Sequence, residues 1–205
     1  MLSLIALAAA TLQPEDPDAG LVDPVATRIE PISVIASRTP VALSATGISS
    51  SQIQLDRIEG LSLPLVKDYL TLVPGVAVAQ TGPLGAQTQV RIRGSEANHS
   101  ISFIDGIEMN DPASSGEFRL DTLLSHGVER IEVLRGPQSA LWGSQAIGGV
   151  INIVTRTPRV GGEFYGELQG GSLGTLRGGL GGGWAGEALT ISGQVSGLST
   201  DGYDI

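Results

Sequence analysis

The residues best suited to chemistry are few, and their spacing does not form a reactive site. The two histidines, His99 and His126, lie far apart, and we predict each to be a surface or loop residue. The glycine run at 143–149 is neither a phosphate-binding loop nor a dinucleotide fingerprint, and the sequence has no Gly-x-Ser-x-Gly elbow. No carboxylate pair stands out as general acid and base. We therefore predict that the chain is not an enzyme.

The charge and cysteine content exclude other classes of protein. The chain carries 12 Lys and Arg against 21 Asp and Glu, for a formal net charge of −9. Because no basic run occurs, we predict no nucleic-acid partner. The absence of cysteine excludes a disulfide framework and a cysteine-ligated metal site.

The first 28 residues differ in composition from the rest. Residues 2–12 form a short apolar run with the small-residue ending of a signal-peptide core, although the positive flank is missing. Residues 1–12 are therefore predicted to be a signal-peptide remnant, with a frayed terminal helix as the alternative. Residues 13–28 are acidic and contain prolines, which predicts a disordered tail.

Residues 29–158 have the mixed pattern of an α+β domain with a small mixed sheet. The clearest local signal is Asp105-Gly106, which predicts a type I′ turn between two strands. Helices or helical turns are predicted at 52–59, 62–72 (with Ser62 as its cap), 120–125 and 137–142. Strands are predicted at 76–79, 89–93, 100–104, 107–109, 128–134 and 149–156.

Residues 159–205 read as about three antiparallel strands. From Gly161 onward it holds more than half of the 29 glycines and one basic residue, Arg177. Apolar or glycine positions alternate with small polar ones over lengths that suit tilted transmembrane strands. Phe164, Tyr165 and Trp184 lie near strand ends, where an aromatic girdle is expected. The alternative is an ordinary antiparallel sheet with one wet face.

Five runs resemble the plug domain of TonB-dependent outer-membrane receptors in order and spacing. They are VRIRG (90–94), FIDGI (103–107), VERIEVLRGP (128–137), SALWGS (139–144) and AIGGVINIVT (146–155). LVPGV at 72–76 fits the same family. The resemblance implies an α+β plug followed by the first antiparallel strands of a truncated transmembrane β-barrel, which in the family has about 22 strands.

The family resemblance also implies a location and two partners. The location is the bacterial outer membrane, in contact with its lipid. One partner is the TonB energy transducer, which pairs as a strand with a segment called the TonB box. The residues that look like this box are Glu30, Pro31, Ile32, Ser33, Val34, Ile35 and Ala36. The alternative is that they form the plug's first edge strand.

The resemblance assigns two further groups of residues. Loops 80–87 and 110–118 would face the ligand, although they could be plain surface turns. The ligand-binding candidates in them are Thr81, Leu84, Gln87, Asn110, Asp111, Ser114 and Ser115. Arg91, Arg93 and Arg135 would pair with carboxylates at the plug–barrel interface.

The ligand suggested first is cobalamin. Residues 135–141, the compact plug and the Gly-Tyr-Asp at 202–204 resemble the cobalamin-receptor branch, in which Asp204 would be one ligand of a calcium ion in the outer loops. No other cofactor is predicted. The alternatives are a ferric-siderophore or haem receptor on the same scaffold and, from another class, a soluble plug-like binding module.

Overall fold

The computed structural model describes residues 32–33, 41–42, 47–55, 58 and 61–202. The predicted signal-peptide remnant, the acidic tail and Asp204 lie outside these residues. We call residues 47–155 the plug region and residues 156–160 the linker.

A mixed five-stranded sheet forms the centre of the plug region, as predicted. Its strand order is β3-β8-β9-β6-β7, and the β9–β6 pair is parallel while the other pairs are antiparallel. The strands are β3 (Ser49–Gln54), β6 (Ser100–Ile104), β7 (Ile107–Glu108), β8 (Val128–Arg135) and β9 (Gly149–Thr155). Four of them, β6, β7, β8 and β9, lie close to their predicted bounds.

The plug region and the chain before it also contain shorter elements outside this sheet. They are the hairpin β4 (Val76–Gln80) with β5 (Thr88–Ile92), the strand pair β1 (Ile32–Ser33) with β2 (Val41–Ala42), and the helices α1 (Val66–Leu70) and α2 (Ser139–Trp142). In the part of the chain that the structure describes, no helix is long and apolar enough to cross a membrane.

The core lies on the sheet face that α1 and the β4–β5 hairpin cover. Alternate residues of β8 and β9 point to this face, and they pack against Leu70 and Ile92. Those sheet residues are Ile131, Val133, Ile151 and Ile153, each at most 1% exposed. Burying one such side chain contributes about 1.5–3 kcal/mol. On the opposite face, Phe103 packs against Trp142 of α2 with ring centroids 4.8 Å apart.

The predicted type I′ turn is confirmed by its backbone angles. Asp105 and Gly106 have φ of 49° and 83°, which are the positive values that both central residues of this turn require. The Asp105 carboxylate also accepts hydrogen bonds from the backbone nitrogen (2.8 Å) and hydroxyl (2.6 Å) of Thr155. The turn therefore holds the end of β9, where the chain enters the linker.

Two of the predicted helical segments are wrong. Residues 49–54 form a strand instead of the helix predicted at 52–59, because Ile53 pairs with Ile131 in the sheet. Residues 120–125 contain a β-bridge from Leu124 to Leu65 and no helix. The helix predicted at 62–72 is shorter, and Ser62 does not cap it, since it begins after Leu65 without a side-chain cap. The helix predicted at 137–142 is confirmed as α2.

After the linker, three strands form a second antiparallel sheet, which we call the wall sheet. They are β10 (Gly161–Gly170), β11 (Leu176–Ala185) and β12 (Thr190–Ser199), and both neighbouring pairs run in register over ten residues. The predicted length and alternation of these strands are confirmed.

The wall sheet presents its apolar face outward and its polar face toward the plug region. On the outer face, Phe164 and Leu168 are each 78% exposed. On the inner face, Tyr165 and Glu167 lie against the plug region. The prediction that the Tyr165 ring belongs to an outer aromatic girdle is therefore wrong. A sheet with one wet face would have the opposite polarity, because its polar side chains would be exposed. This arrangement is that of strands in a membrane barrel.

Candidate functional site

A buried cluster of charged and polar groups joins the wall sheet to the plug region. Its centre is Arg177 of β11, which is 4% exposed. Arg177 Nη2 lies 2.6 Å from Glu167 Oε1 on β10, a contact that is ionic without the alignment of a hydrogen bond. Arg177 Nη1 donates to the Leu63 carbonyl at 3.1 Å, and Nη2 donates to Ser125 Oγ at 3.0 Å. Ser125 Oγ donates in turn to the Leu63 carbonyl at 2.7 Å.

His126 is the second plug side chain in this cluster. Its Nδ1 lies 3.3 Å from Glu167 Oε1, and its ring is tilted against the Tyr165 ring at a centroid distance of 5.5 Å. The residue lies in a turn, in keeping with the prediction of a surface or loop residue, but it is 6% exposed and therefore not on the surface. The ring is buried because it packs directly over Gly179 of β11.

Two adjacent plug segments hold Ser125 and His126 in place. The Val66 nitrogen donates to the Leu123 carbonyl, and the Ser125 nitrogen donates to the Pro64 carbonyl, each at 3.0 Å. The chain before them is fixed by Arg119, whose guanidinium hydrogen-bonds the Asp121 carboxylate and lowers its pKa from the usual value. The segment around Leu63 and the segment around Ser125 therefore form one surface facing Arg177.

The inner face of β11 allows this close approach because glycines line it. A Cβ on Gly179 would lie 2.6 Å from the His126 ring, one on Gly181 2.4 Å from the Tyr165 ring, and one on Gly183 2.9 Å from Pro158 of the linker. On the plug side, a Cβ on Gly127 would overlap the Gln194 side chain of β12. At Gly179 and Gly183, side chains of the plug region and linker thus fill the places that wall side chains would otherwise occupy, and at Gly181 the Tyr165 ring of the neighbouring wall strand does so.

We expect Gly179→Ala to loosen the plug region and Gly193→Ala to leave it unchanged. The added methyl at position 179 would overlap the His126 ring, and overpacking of this kind costs about 1–3 kcal/mol. Gly193 is the matched control, because a Cβ there meets no atom within 4 Å. The measurement is the urea concentration at which trypsin cleaves the plug region of the full-length protein. Equal midpoints for the two variants would contradict the expectation.

The linker is bound to both sides of this contact. The Arg156 nitrogen donates to the Gly127 carbonyl at 2.8 Å, and the Arg156 guanidinium pairs with Glu163 of β10 at 2.5 Å. The same guanidinium lies over the Tyr165 ring, 4.6 Å from its centroid. A cavity of about 910 Å³ lies beside these residues, between the plug region and the wall sheet.

The second predicted ligand loop contacts β5, the strand that follows the first loop, through one hydrogen bond from Gln89 Nε2 to Glu117 Oε1 at 2.9 Å. In the first loop, Thr81 donates twice to the Gln87 carbonyl, and Leu84 is 47% exposed. The structure therefore joins the second loop to the strand that follows the first loop. Binding of a ligand by their residues stays a prediction.

Asn110 shapes the second loop through three hydrogen bonds. Its Oδ1 accepts from the Ser102 nitrogen, and its Nδ2 donates to the carbonyls of Ser100 and Gly116. Asp111 accepts from the Ala113 nitrogen at the start of a short 3₁₀ turn that contains Ser114. Ser115 is exposed and follows this turn with φ of 60°.

The three arginines predicted at the plug–barrel interface make contacts inside the plug region. Arg135 donates to the Pro74 carbonyl at 2.6 Å and to Ser51 Oγ at 3.0 Å. Arg91 pairs with Glu96 at 3.4 Å, and the Arg93 nitrogen donates to the Gly75 carbonyl. Their pairing with barrel carboxylates stays a prediction.

Two predicted sites fall mainly outside the described residues. Within the candidate TonB box, Ile32 and Ser33 form β1 and pair with Ala42 and Val41, and the other box residues are not described. The calcium ligand Asp204 is not described either. Within the described ranges, no three His, Asp or Glu side chains are grouped so that they could hold a metal ion.

The chain belongs to the TonB-dependent receptor plug-domain family, whose family model matches residues 42–150. Solved structures support the same fold. The siderophore receptor PiuA from Acinetobacter baumannii is 27% identical, with a TM-score of 0.62 over 78% of this chain and 22% of that chain. The siderophore receptor PirA from the same organism is 29% identical, with a TM-score of 0.51 over 66% of this chain and 22% of that chain.

A third solved structure has lower sequence identity to this chain. The ferripyoverdine receptor of the Pseudomonas aeruginosa outer membrane is 21% identical, with a TM-score of 0.64 over 77% of this chain and 20% of that chain. The chain therefore spans about a fifth of the length of the receptors it matches. At this identity the match shows the fold, namely a plug domain followed by antiparallel strands.

The cluster around Arg177 was not predicted as a site from the sequence. The signal available was that Arg177 is the one basic residue in the glycine-rich segment, on the strand face that carries no large apolar side chain. A single guanidinium on that face needs hydrogen-bond acceptors or a carboxylate, and the plug region and the neighbouring strand are the parts of the chain that can supply them.

Proposed function

We propose that this chain is the plug and first barrel strands of an outer-membrane receptor that imports a ferric siderophore. Transport is energised by TonB, and the plug closes the barrel until it is displaced. The receptor is not an enzyme. The TonB box at residues 30–36 is the contact with the transducer, and loops 80–87 and 110–118 face the ligand.

The observation that carries this proposal is the polarity of the wall sheet. Its outer face exposes Phe164, Leu168 and Val195, which suits contact with lipid hydrocarbon. Its inner face buries Arg177 against the plug region. A soluble binding module would expose the polar face instead, so the soluble alternative is disfavoured.

The comparisons favour a ferric siderophore over cobalamin. PirA and PiuA, at 29% and 27% identity, are described as siderophore receptors. The cobalamin interpretation rests on short runs at 135–141 and 202–204, and Asp204 lies outside the described residues. The siderophore alternative from the sequence is therefore the better-supported ligand class.

The test is uptake by cells in which the full-length receptor is the sole route for each ligand. Radiolabelled iron is supplied as ferric enterobactin, ferric pyoverdine or a ferric hydroxamate, and labelled cyanocobalamin is the comparison. We expect accumulation of at least one iron chelate that stops when a protonophore is added. Uptake of cyanocobalamin without any iron chelate would contradict the proposed ligand class.

A further inference from the structure

We propose that Arg177 is a releasable latch. It holds the plug region to the wall sheet through hydrogen bonds to neutral plug groups, while its charge stays paired with Glu167 inside the wall sheet. The inference rests on the proposed function, because a latch matters only if the plug is displaced during transport. Its test uses neither ligand nor energy source, so it can fail while the proposed ligand class stands.

Arg177 joins three parts of the chain at one point. Its guanidinium leaves β11 and reaches the Leu63 carbonyl, in the segment before α1, at 3.1 Å. It also reaches Ser125 Oγ, in the segment before β8, at 3.0 Å. These two segments are bonded to each other through the Ser125 hydroxyl and the Ser125 nitrogen. One wall side chain therefore fixes both segments to the wall.

The distribution of charge in the cluster makes the contact releasable. Among the described residues, the ion pair of Arg177 is with Glu167 on the neighbouring wall strand, and no plug carboxylate joins it. The plug supplies a carbonyl and a hydroxyl to Arg177, and the His126 imidazole to Glu167. When the plug leaves, the Arg177–Glu167 pair remains complete. Separating a buried ion pair would leave an uncompensated charge, and this arrangement avoids that cost.

The same arrangement explains why the contact still resists spontaneous opening. Hydrogen bonds to a charged group are stronger than those between neutral groups. Arg177 and His126 are also nearly excluded from solvent while the plug is seated. The latch is thus held by charge-assisted hydrogen bonds, and its release costs only those bonds and the packing over Gly179.

The experiment measures how often the plug opens in the full-length receptor. A single cysteine is introduced by Val66→Cys, because Val66 is fully buried in α1 and its nitrogen bonds to the Leu123 carbonyl. The chain described here has no cysteine of its own, and any in the rest of the receptor are replaced. The rate at which maleimide labels this position in outer-membrane vesicles reports opening of the segment.

Ser125→Ala is expected to raise the labelling rate about tenfold, since it removes the hydrogen bond from Arg177 together with the bond from Ser125 Oγ to the Leu63 carbonyl. Arg177→Met should raise it further. The matched controls are Ser196→Ala and Arg159→Met, which change exposed residues of the same types and should leave the rate unchanged. A Ser125→Ala rate equal to that of Ser196→Ala would overturn the latch.

The double variant Arg177→Met/Glu167→Met separates a latch from a purely structural ion pair. Arg177→Met alone leaves Glu167 without its arginine partner and could fail to assemble, whereas the double variant removes both charges of the pair. We expect it to assemble like the parent, by the heat shift of the barrel on gels, and to keep the labelling rate raised about tenfold. Return of the rate to the parental value would mean that the pair only stabilises the wall, and it would overturn the proposal.

Discussion

A disulfide between positions 126 and 179 abolishes energy-dependent uptake and leaves ligand binding intact. This result is expected for the variant His126→Cys/Gly179→Cys in the full-length receptor. A Cβ on Gly179 lies 2.6 Å from Cγ of His126, which is one bond from the Cβ of that residue. The two cysteine Cβ atoms would therefore be within about 4 Å, a separation that disulfides adopt. The bond would tie the plug covalently to the wall at the latch.

The measurement compares uptake and binding of the same ferric siderophore under oxidising and reducing conditions. A reductant should restore uptake in the double-cysteine variant to the level of the single-cysteine variants. The matched control is Leu180→Cys/Val195→Cys, because these residues are paired across β11 and β12 and join two wall strands without touching the plug. Full uptake with the 126–179 disulfide formed would show that transport does not need this part of the plug to leave the wall.

The second large effect is expected at the candidate TonB box. Val34→Pro should abolish energy-dependent uptake with no change in ligand affinity, and Ile32→Pro should act in the same way. Pairing of an added strand relies on backbone hydrogen bonds, and proline removes one donor. Val34 itself lies outside the described residues, so this prediction rests on the sequence and on the family.

Val34→Ala is the control for this second prediction, since it shortens the side chain and keeps the backbone nitrogen as a donor. It should retain most of the uptake. Binding is measured on purified receptor and uptake on energised cells, so that a folding defect would appear in both. Normal uptake by Val34→Pro would show that residues 30–36 are not the transducer contact.

The elements that could be predicted from the sequence are those with strong local signals. The Asp105-Gly106 turn requires two positive φ values, and few residues tolerate them, so its sequence is informative. The strands β8 and β9 are rich in β-branched residues, and the wall strands alternate strictly. In each case the information lies within ten residues of chain.

The elements that were missed depend on contacts distant in sequence. The residues of β3 carry apolar positions that also suit a helix, and only pairing of Ile53 with Ile131 decides for a strand. Likewise, Leu124 is extended because it bridges to Leu65. Neither partner is visible from the local pattern.

The candidate site shows the same limit. Arg177 could be singled out by its charge, but its acceptors are a hydroxyl and the backbone carbonyl of Leu63, which no sequence pattern marks. His126 is a loop residue as predicted, but its burial was not predicted, because the glycine that receives its ring, Gly179, lies on a strand much later in the chain. Burial of both residues follows from the seating of the plug against the wall.

The bonds from Asp105 to Thr155 set the length of the tether between plug and barrel. Thr155 is held to the plug and Gly161 begins the first wall strand, so six backbone steps connect them. A fully extended chain of that length spans about 20 Å, which is less than the roughly 30 Å of membrane hydrocarbon. While the sheet stays folded, Thr155 can therefore move no further than this from the start of the first wall strand. In the proposed receptor, a larger displacement of the plug would require β9 to unravel and lengthen the tether.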